Sequence, residues 1–224
     1  MEALTVRGLF VTVEGGEGVG KSTQARALAE RFRHAGRDVL ETREPGGTPV
    51  GDRIRSLLLD PDAEMAPRTE LFLYEASRAE LTATVIAPAL DRGTVVVCDR
   101  FYDSTTAYQA FGRGLDRAEV EALNLSATGG LRPDVTVLLT ADPSGGSLDV
   151  EATLRRATHG GADRMERESL DFHRRVHEGF LTIAGAEPER FVVVDASGTV
   201  DEVAAAVWAA LSCHLAVRDV PGGE

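Results

Sequence analysis

Lysine is almost missing from this chain. Of its 24 basic residues, 23 are arginine and one, Lys21, is lysine. A composition biased this far against lysine has kept it at a single position, so that position is the first place to look for chemistry. Positive charge is also scarce overall: 36 acidic against 24 basic residues give a net charge of −12. Such a field repels duplex DNA and anionic membrane faces, so any anionic partner must be small and met by locally focused cations. Two cysteines, Cys98 and Cys213, offer no disulfide framework and fit a reducing compartment. No stretch approaches the ~20 apolar residues that span a bilayer, and Met1 to Gly8 lacks the apolar core of a signal peptide. These absences predict a cytoplasmic protein that acts on small molecules, not on nucleic acid or membrane.

What is present is an alternation of strand-like and helical stretches. Apolar or β-branched runs occupy 9–13, 38–42, 94–98, 135–139 and 191–194. Helical spacing occupies 23–35, 50–59, 69–90 with a break near Pro88, 104–110, 117–127, 169–184 and 200–211. The run Thr94-Val95-Val96-Val97-Cys98 fits a central parallel strand covered on both faces. The alternation predicts an α/β fold: a five-stranded parallel sheet, helices on both faces, right-handed crossovers. At 224 residues, without repeat or linker, one domain over 1–212 is expected, with 213–224 as a tail. Glycine-rich 144–161 and polar 217–224 read as mobile.

Lys21 stands in Gly15-Gly16-Glu17-Gly18-Val19-Gly20-Lys21-Ser22, which matches G-x-x-x-x-G-K-[ST] between the first strand and the first helix. Glycines let consecutive backbone N–H groups turn inward around phosphate oxygens, and the helix N-terminus adds partial positive charge. The loop from Gly15 through Thr23 is therefore a nucleoside triphosphate cradle, with Lys21 on the β and γ phosphates and Ser22 able to ligate Mg²⁺. A base-reading N-K-x-D motif would need a second lysine, so a GTPase switch of that kind is excluded. Asp99 ends the third strand, where it can hold Mg²⁺ or its waters, and Arg100 follows, able to face a transferred phosphoryl group. Arg43, Arg55, Arg78 and Arg100 supply the further cations that phosphoryl transfer requires, with guanidinium geometry suited to phosphate.

Several segments resemble the thymidylate kinase family: Thr42-Arg43-Glu44-Pro45-Gly46-Gly47-Thr48, Ile54 to Leu59, Cys98 to Gln109, Arg113-Gly114, Arg132-Pro133-Asp134 and Asp163-Arg164-Met165-Glu166. They follow the family order over nearly the whole chain. The resemblance implies the P-loop nucleoside-monophosphate-kinase fold, ATP as donor with Mg²⁺, dTMP as acceptor, and a homodimer. It implies that Arg43, Arg55 and Arg100 surround the dTMP phosphate and that Glu17 approaches the deoxyribose 3′-hydroxyl. Tyr74 takes the place of a base-stacking phenylalanine, Arg78 hydrogen-bonds the thymine edge, Thr105 and Gln109 complete base recognition, and Tyr108 crowds the 2′ side of the sugar. Gly18 fills the slot where some members carry a P-loop arginine, so the resemblance assigns the catalytic cation to a lid near 150–167. Arg156, or its neighbour Arg155, is the candidate there, and His159 occupies a position at which related lids carry arginine.

Two other readings stand beside this one: a kinase for a modified deoxypyrimidine monophosphate, and a P-loop switch protein. A switch needs no trio of Arg43, Arg55 and Arg100. His173 and His177 share a helical spacing that can bind metal, but without a third ligand nearby they read as ordinary boundary residues flanking the stripe of Phe172, Val176 and Phe180. Cys98 reads as packing.

Overall fold

The five runs form five strands: β1 (Phe10–Glu14), β2 (Val39–Arg43), β3 (Val95–Asp99), β4 (Val135–Thr140) and β5 (Phe191–Asp195), all parallel, in the order β2-β3-β1-β4-β5. Strands β1, β3 and β4 bury side chains on both faces of the sheet, while the edge strands β2 and β5 stay partly exposed. The computed structural model describes residues 7–140, 150–157 and 162–218, the last two residues of each of the latter segments by backbone alone. The helices are α1 (Lys21–His34), α2 (Pro49–Leu59), α3 (Pro67–Leu81), α4 (Ala87–Asp91), α5 (Tyr102–Thr105), α6 (Arg117–Ala127), α7 (Val150–Ala157), α8 (Leu170–Ala186) and α9 (Val200–Arg218). Among the described residues no helix is long and apolar enough to cross a membrane.

Strand periodicity divides the core. Val11, Val13, Val95 and Val97 point to the face covered by Leu28 and Phe32 of α1 and Val207 and Leu211 of α9. Phe10, Val96 and Cys98 point the other way, against Leu81, Ile86 and Leu90, while Leu138 meets Phe172, Val176 and Phe180 of α8. The sheet thus has helices on both faces, as the alternation predicts. A polar network lies between the sheet and α5. Thr12 and Thr136 share a hydrogen bond, and Arg190 donates to both oxygens of Asp103 at 2.6 and 2.8 Å, fixing α5 over β4.

Three details differ from the sequence expectations. Pro88 does not break its helix. Without an N–H it cannot serve the Thr84 carbonyl, and the chain widens into a π-helical segment, Thr82–Ile86, in which the Ala87 N–H bonds the Thr82 carbonyl. A second π-helical segment, Thr106–Gly112, replaces most of the helix expected at 104–110. Finally, α9 continues to Arg218, past the expected start of the tail at 213; residues 219–224 lie outside the described residues, as do 144–149 and 158–161 of the stretch expected to be mobile.

Register places the chemistry. Asp99 pairs with Val13 on one side and Arg43 on the other. Glu14, Asp99 and Arg43 therefore lie side by side at the carboxyl ends of adjacent strands, where open α/β sheets bind ligands.

Candidate active site

The loop leaving β1 can be tight only because of its glycines. Gly15, Gly18 and Gly20 have φ of 142°, 71° and 92°, and a Cβ on Gly15 would sit 2.4 Å from the Leu139 carbonyl oxygen. Val19 turns its side chain into the core. Gly20 caps α1 without a side-chain hydrogen bond, leaving the first N–H groups of α1 open. Lys21 Nζ donates to the Gly16 carbonyl and lies 3.9 Å from Glu17 Oε2. Burial, aided by Arg100, lowers its pKa to about 8.

Ser22 Oγ donates to Asp99 Oδ2 at 2.5 Å, and Asp99 Oδ1 is buried without a partner among the described residues. A hydroxyl and a carboxylate with a spare oxygen, beside a phosphate cradle, are the oxygen donors Mg²⁺ takes when substrate phosphates complete its octahedron. The residues present fit that ion. Among the described residues no group of three or more His, Cys, Asp or Glu gathers to hold a metal by itself.

Arg100 is the hinge of the site. Its φ of 69° is unusual for a residue with a Cβ, and it turns the guanidinium back over the loop. There it donates to the Gly15 carbonyl, to Ser104 Oγ, to Glu17 Oε1 at 2.7 Å and to the Tyr108 hydroxyl. Burial alone would raise the Glu17 carboxyl, but the Arg100 and Lys21 cations and the Tyr108 hydroxyl outweigh it and hold its pKa at about 2. Behind Arg100, the Glu14 carboxylate accepts from the N–H groups of Phe101 and Ser104 and from Ser104 Oγ. Burial and the nearby Asp103 charge push Glu14 up.

The turn after β2 carries the next cations. Gly46 N–H donates to Ser77 Oγ, and Thr48 caps α2 with Pro49 at its first position. This aims α2 so that Arg55 donates to the Pro45 carbonyl at 3.0 Å. Burial and the Arg43 charge lower the Arg55 pKa. Arg43 is exposed, with Asp52 at 4.0 Å.

These groups open on a single cleft of about 410 Å³, in which Lys21, Ser22, Thr23, Arg43, Arg55, Asp99 and Arg100 share walls with Glu17, Tyr74, Arg78, Thr105, Tyr108 and Gln109. The loop residues Gly18 and Gly20 border it too, while Gly15, Gly16 and Val19 do not line it. Arg78, 1% exposed, spends all five N–H donors within the chain: two on Glu44, one each on Glu75, Asn124 and Thr105. Gln109 donates to Glu70, and Tyr108 to Glu17 at 2.7 Å. Burial pushes the Tyr74 hydroxyl pKa up.

The side chain of Arg156, and all of His159, lie outside the described residues. Arg155 forms an ion pair with Glu151. His173 packs edge-on against Phe172, and Cys98 is buried with its thiol donating to the Arg100 carbonyl. Sequence reasoning missed Glu14, Glu44 and Glu70 because no local pattern marks a buried carboxylate. It also gave no role to Ser104, Asp163, Met165 and Glu166, which line the cleft and stand inside two of the segments that carried the family resemblance.

A family model described as thymidylate kinase matches residues 13–207. The chain is 50% identical to the thymidylate kinase of Deinococcus radiodurans over 92% of its own length and 97% of that protein. It is 51% identical to that of Geobacter sulfurreducens over 89% of this chain and 94% of the other. The crystal structure of thymidylate kinase from Ehrlichia chaffeensis matches with a TM-score of 0.72 at 31% identity, covering 92% of this chain and 99% of that one.

Proposed function

This chain belongs to the thymidylate kinase family, and from that premise we propose that it transfers the γ-phosphoryl group of ATP to dTMP, giving ADP and dTDP, in the cytoplasm. The observation that carries the reading is the convergence of Arg43, Arg55 and Arg100 on the cleft that Lys21 also lines. Two nucleotides meeting phosphate to phosphate need that density of cations at one point.

ATP lies along the amides from Gly15 to Thr23, with Lys21 against its β and γ phosphates. Ser22 and Asp99 would hold Mg²⁺, which would supply charge neutralisation to the phosphate groups. Arg43, Arg55 and Arg100 fix the dTMP phosphate. One of its oxygens attacks the γ phosphorus in line; as that P–O bond forms, the bond to the β-bridging oxygen breaks and its electron pair leaves on ADP. Arg156, in a lid spanning 150–167, supplies charge to the transferring group. Glu17 meets the 3′-hydroxyl, Tyr74 stacks on the base, Thr105 and Gln109 meet its edge beside Arg78, whose own donors are engaged within the chain, and Tyr108 crowds the 2′ position. All of this belongs to one domain, 1–212.

A coupled assay for ADP, run with ATP, Mg²⁺ and a panel of nucleoside monophosphates, tests the reading. ADP release strictly dependent on dTMP is expected; release indifferent to every monophosphate would refute it.

The working unit is a homodimer. Leu57 of α2, Phe72 of α3 and Leu125 of α6 are exposed apolar side chains on neighbouring helices, and a second copy would cover them. Light scattering of Phe72→Asp should report a monomer; an unchanged mass would remove this face from the interface.

A further inference from the structure

Glu70 is a carboxylate 1% exposed, on α3 one turn before Tyr74. Its Oε1 accepts from Gln109 Nε2 at 2.8 Å and Arg113 Nε at 3.1 Å; its Oε2 accepts from Arg113 at 2.9 Å and Arg164 at 2.6 Å. Burial by itself would raise this carboxyl, but the hydrogen bonds and charge of Arg113, with Gln109 and Arg164, bring its pKa below the usual range. An ionised carboxylate only accepts. The Gln109 side chain must therefore turn its NH₂ end to Glu70, and its carbonyl end the other way. Gln109 lines the cleft, and its Oε1 has no hydrogen-bond partner among the described residues.

We propose that Glu70 is a positioning residue for base selectivity, locking the Gln109 amide so that a carbonyl acceptor faces N3 of the incoming pyrimidine. The proposal rests on the reading above in which Gln109 meets the base. A 4-oxo pyrimidine carries a hydrogen on N3 and donates to that carbonyl. A 4-amino pyrimidine has a lone pair on N3 and sets acceptor against acceptor. An amide free to rotate would accommodate both by flipping, because its two ends are nearly the same size. An acceptor-only neighbour removes the flipped state. Arg113 and Arg164 serve the selectivity indirectly, by keeping Glu70 ionised.

The test measures kcat/KM for dTMP, dUMP, 3-deaza-dUMP and dCMP on wild type, Glu70→Gln and Gln109→Leu. On wild type, replacing N3–H by C–H in 3-deaza-dUMP should cost about 10- to 100-fold against dUMP; equal values would overturn the proposal without any variant. Glu70→Gln offers the amide either partner, so the dTMP:dCMP ratio should fall by roughly 10-fold or more. A purely structural role would lower both rates together and leave the ratio intact, which also overturns it. If that variant does not fold, the 3-deaza comparison decides. Gln109→Leu separates the premise from the proposal: unchanged dTMP kinetics there would remove Gln109 from base contact, while a collapse there with an unaltered ratio in Glu70→Gln would remove Glu70 alone.

Discussion

Arg100 and Tyr108 donate to the same oxygen, Glu17 Oε1, each at 2.7 Å, while the guanidinium stands 5.2 Å from the centroid of the Tyr108 ring. The ring and the hydroxyl therefore do separable work. The hydroxyl helps to hold Glu17 ionised; in the proposed reading the ring would stand beside the sugar. Tyr108→Phe should lose about 1 kcal/mol of stability, the net worth of a hydrogen bond, yet still prefer dUMP over UMP. Tyr108→Ala should lose the preference. Thermal melts together with turnover of the two nucleotides check this, and a Phe variant that accepts UMP would assign the discrimination to the hydroxyl.

Lys21 predicts opposite pH trends for stability and for binding. Its pKa is about 8 in the fold against 10.5 ordinarily. Between those values the unfolded chain binds the extra proton, so the Lys21 contribution makes stability rise with pH across that window. Above about pH 8 the empty site also loses its ammonium, so KM for ATP should rise as the fold gains this increment. Urea melts and ATP titrations at pH 7 and 9.5 would show the divergence. A KM independent of pH would mean that Lys21 is not the phosphate partner.

Asp99→Asn keeps the hydrogen bond from Ser22 but removes the negative charge. The Mg²⁺ concentration needed for half-maximal activity should rise, and activity at saturating Mg²⁺ should fall by about 100-fold. An unaltered Mg²⁺ titration would take Asp99 out of cation binding.

Arg156→Ala should lower kcat by about 1,000-fold, the loss expected for a cation that acts on the transferring group, with little change in nucleotide affinity. Arg155→Ala should be mild, since Arg155 pairs with Glu151 one turn away. Single-turnover rates for the two variants would exchange these roles if Arg155 proved the costlier loss.

Much of the scaffold was legible because its signals are local. Val95, Val96 and Val97 announce a strand covered on both sides, and Lys21 with its glycines announces the cradle. The limits of α6 agree with the spacing of its apolar residues because Asp116 caps it in sequence as well as in space. The π-helical segments escaped notice because a shift of hydrogen bonding from one carbonyl to the next leaves no mark in composition. Near Pro88 the missing N–H signals disruption, but not whether the helix ends or widens. At the site, residue types at strand ends were readable, whereas their partners were not. Nothing near Arg78 in sequence indicates that Glu44 and Asn124 will take up its donors, and nothing near Gln109 points to Glu70, 39 residues away.

A chain with one lysine carries its own reporter. Lys21 supplies the sole ε-amino group of the protein and is buried at the floor of the cleft. Apart from the α-amine at the N-terminus, an acylating reagent has one amine to find, and a triphosphate held as proposed would stand in front of it. Mass spectrometry after a brief pulse of such a reagent would then count vacant cradles directly, without a label, an antibody or an engineered handle.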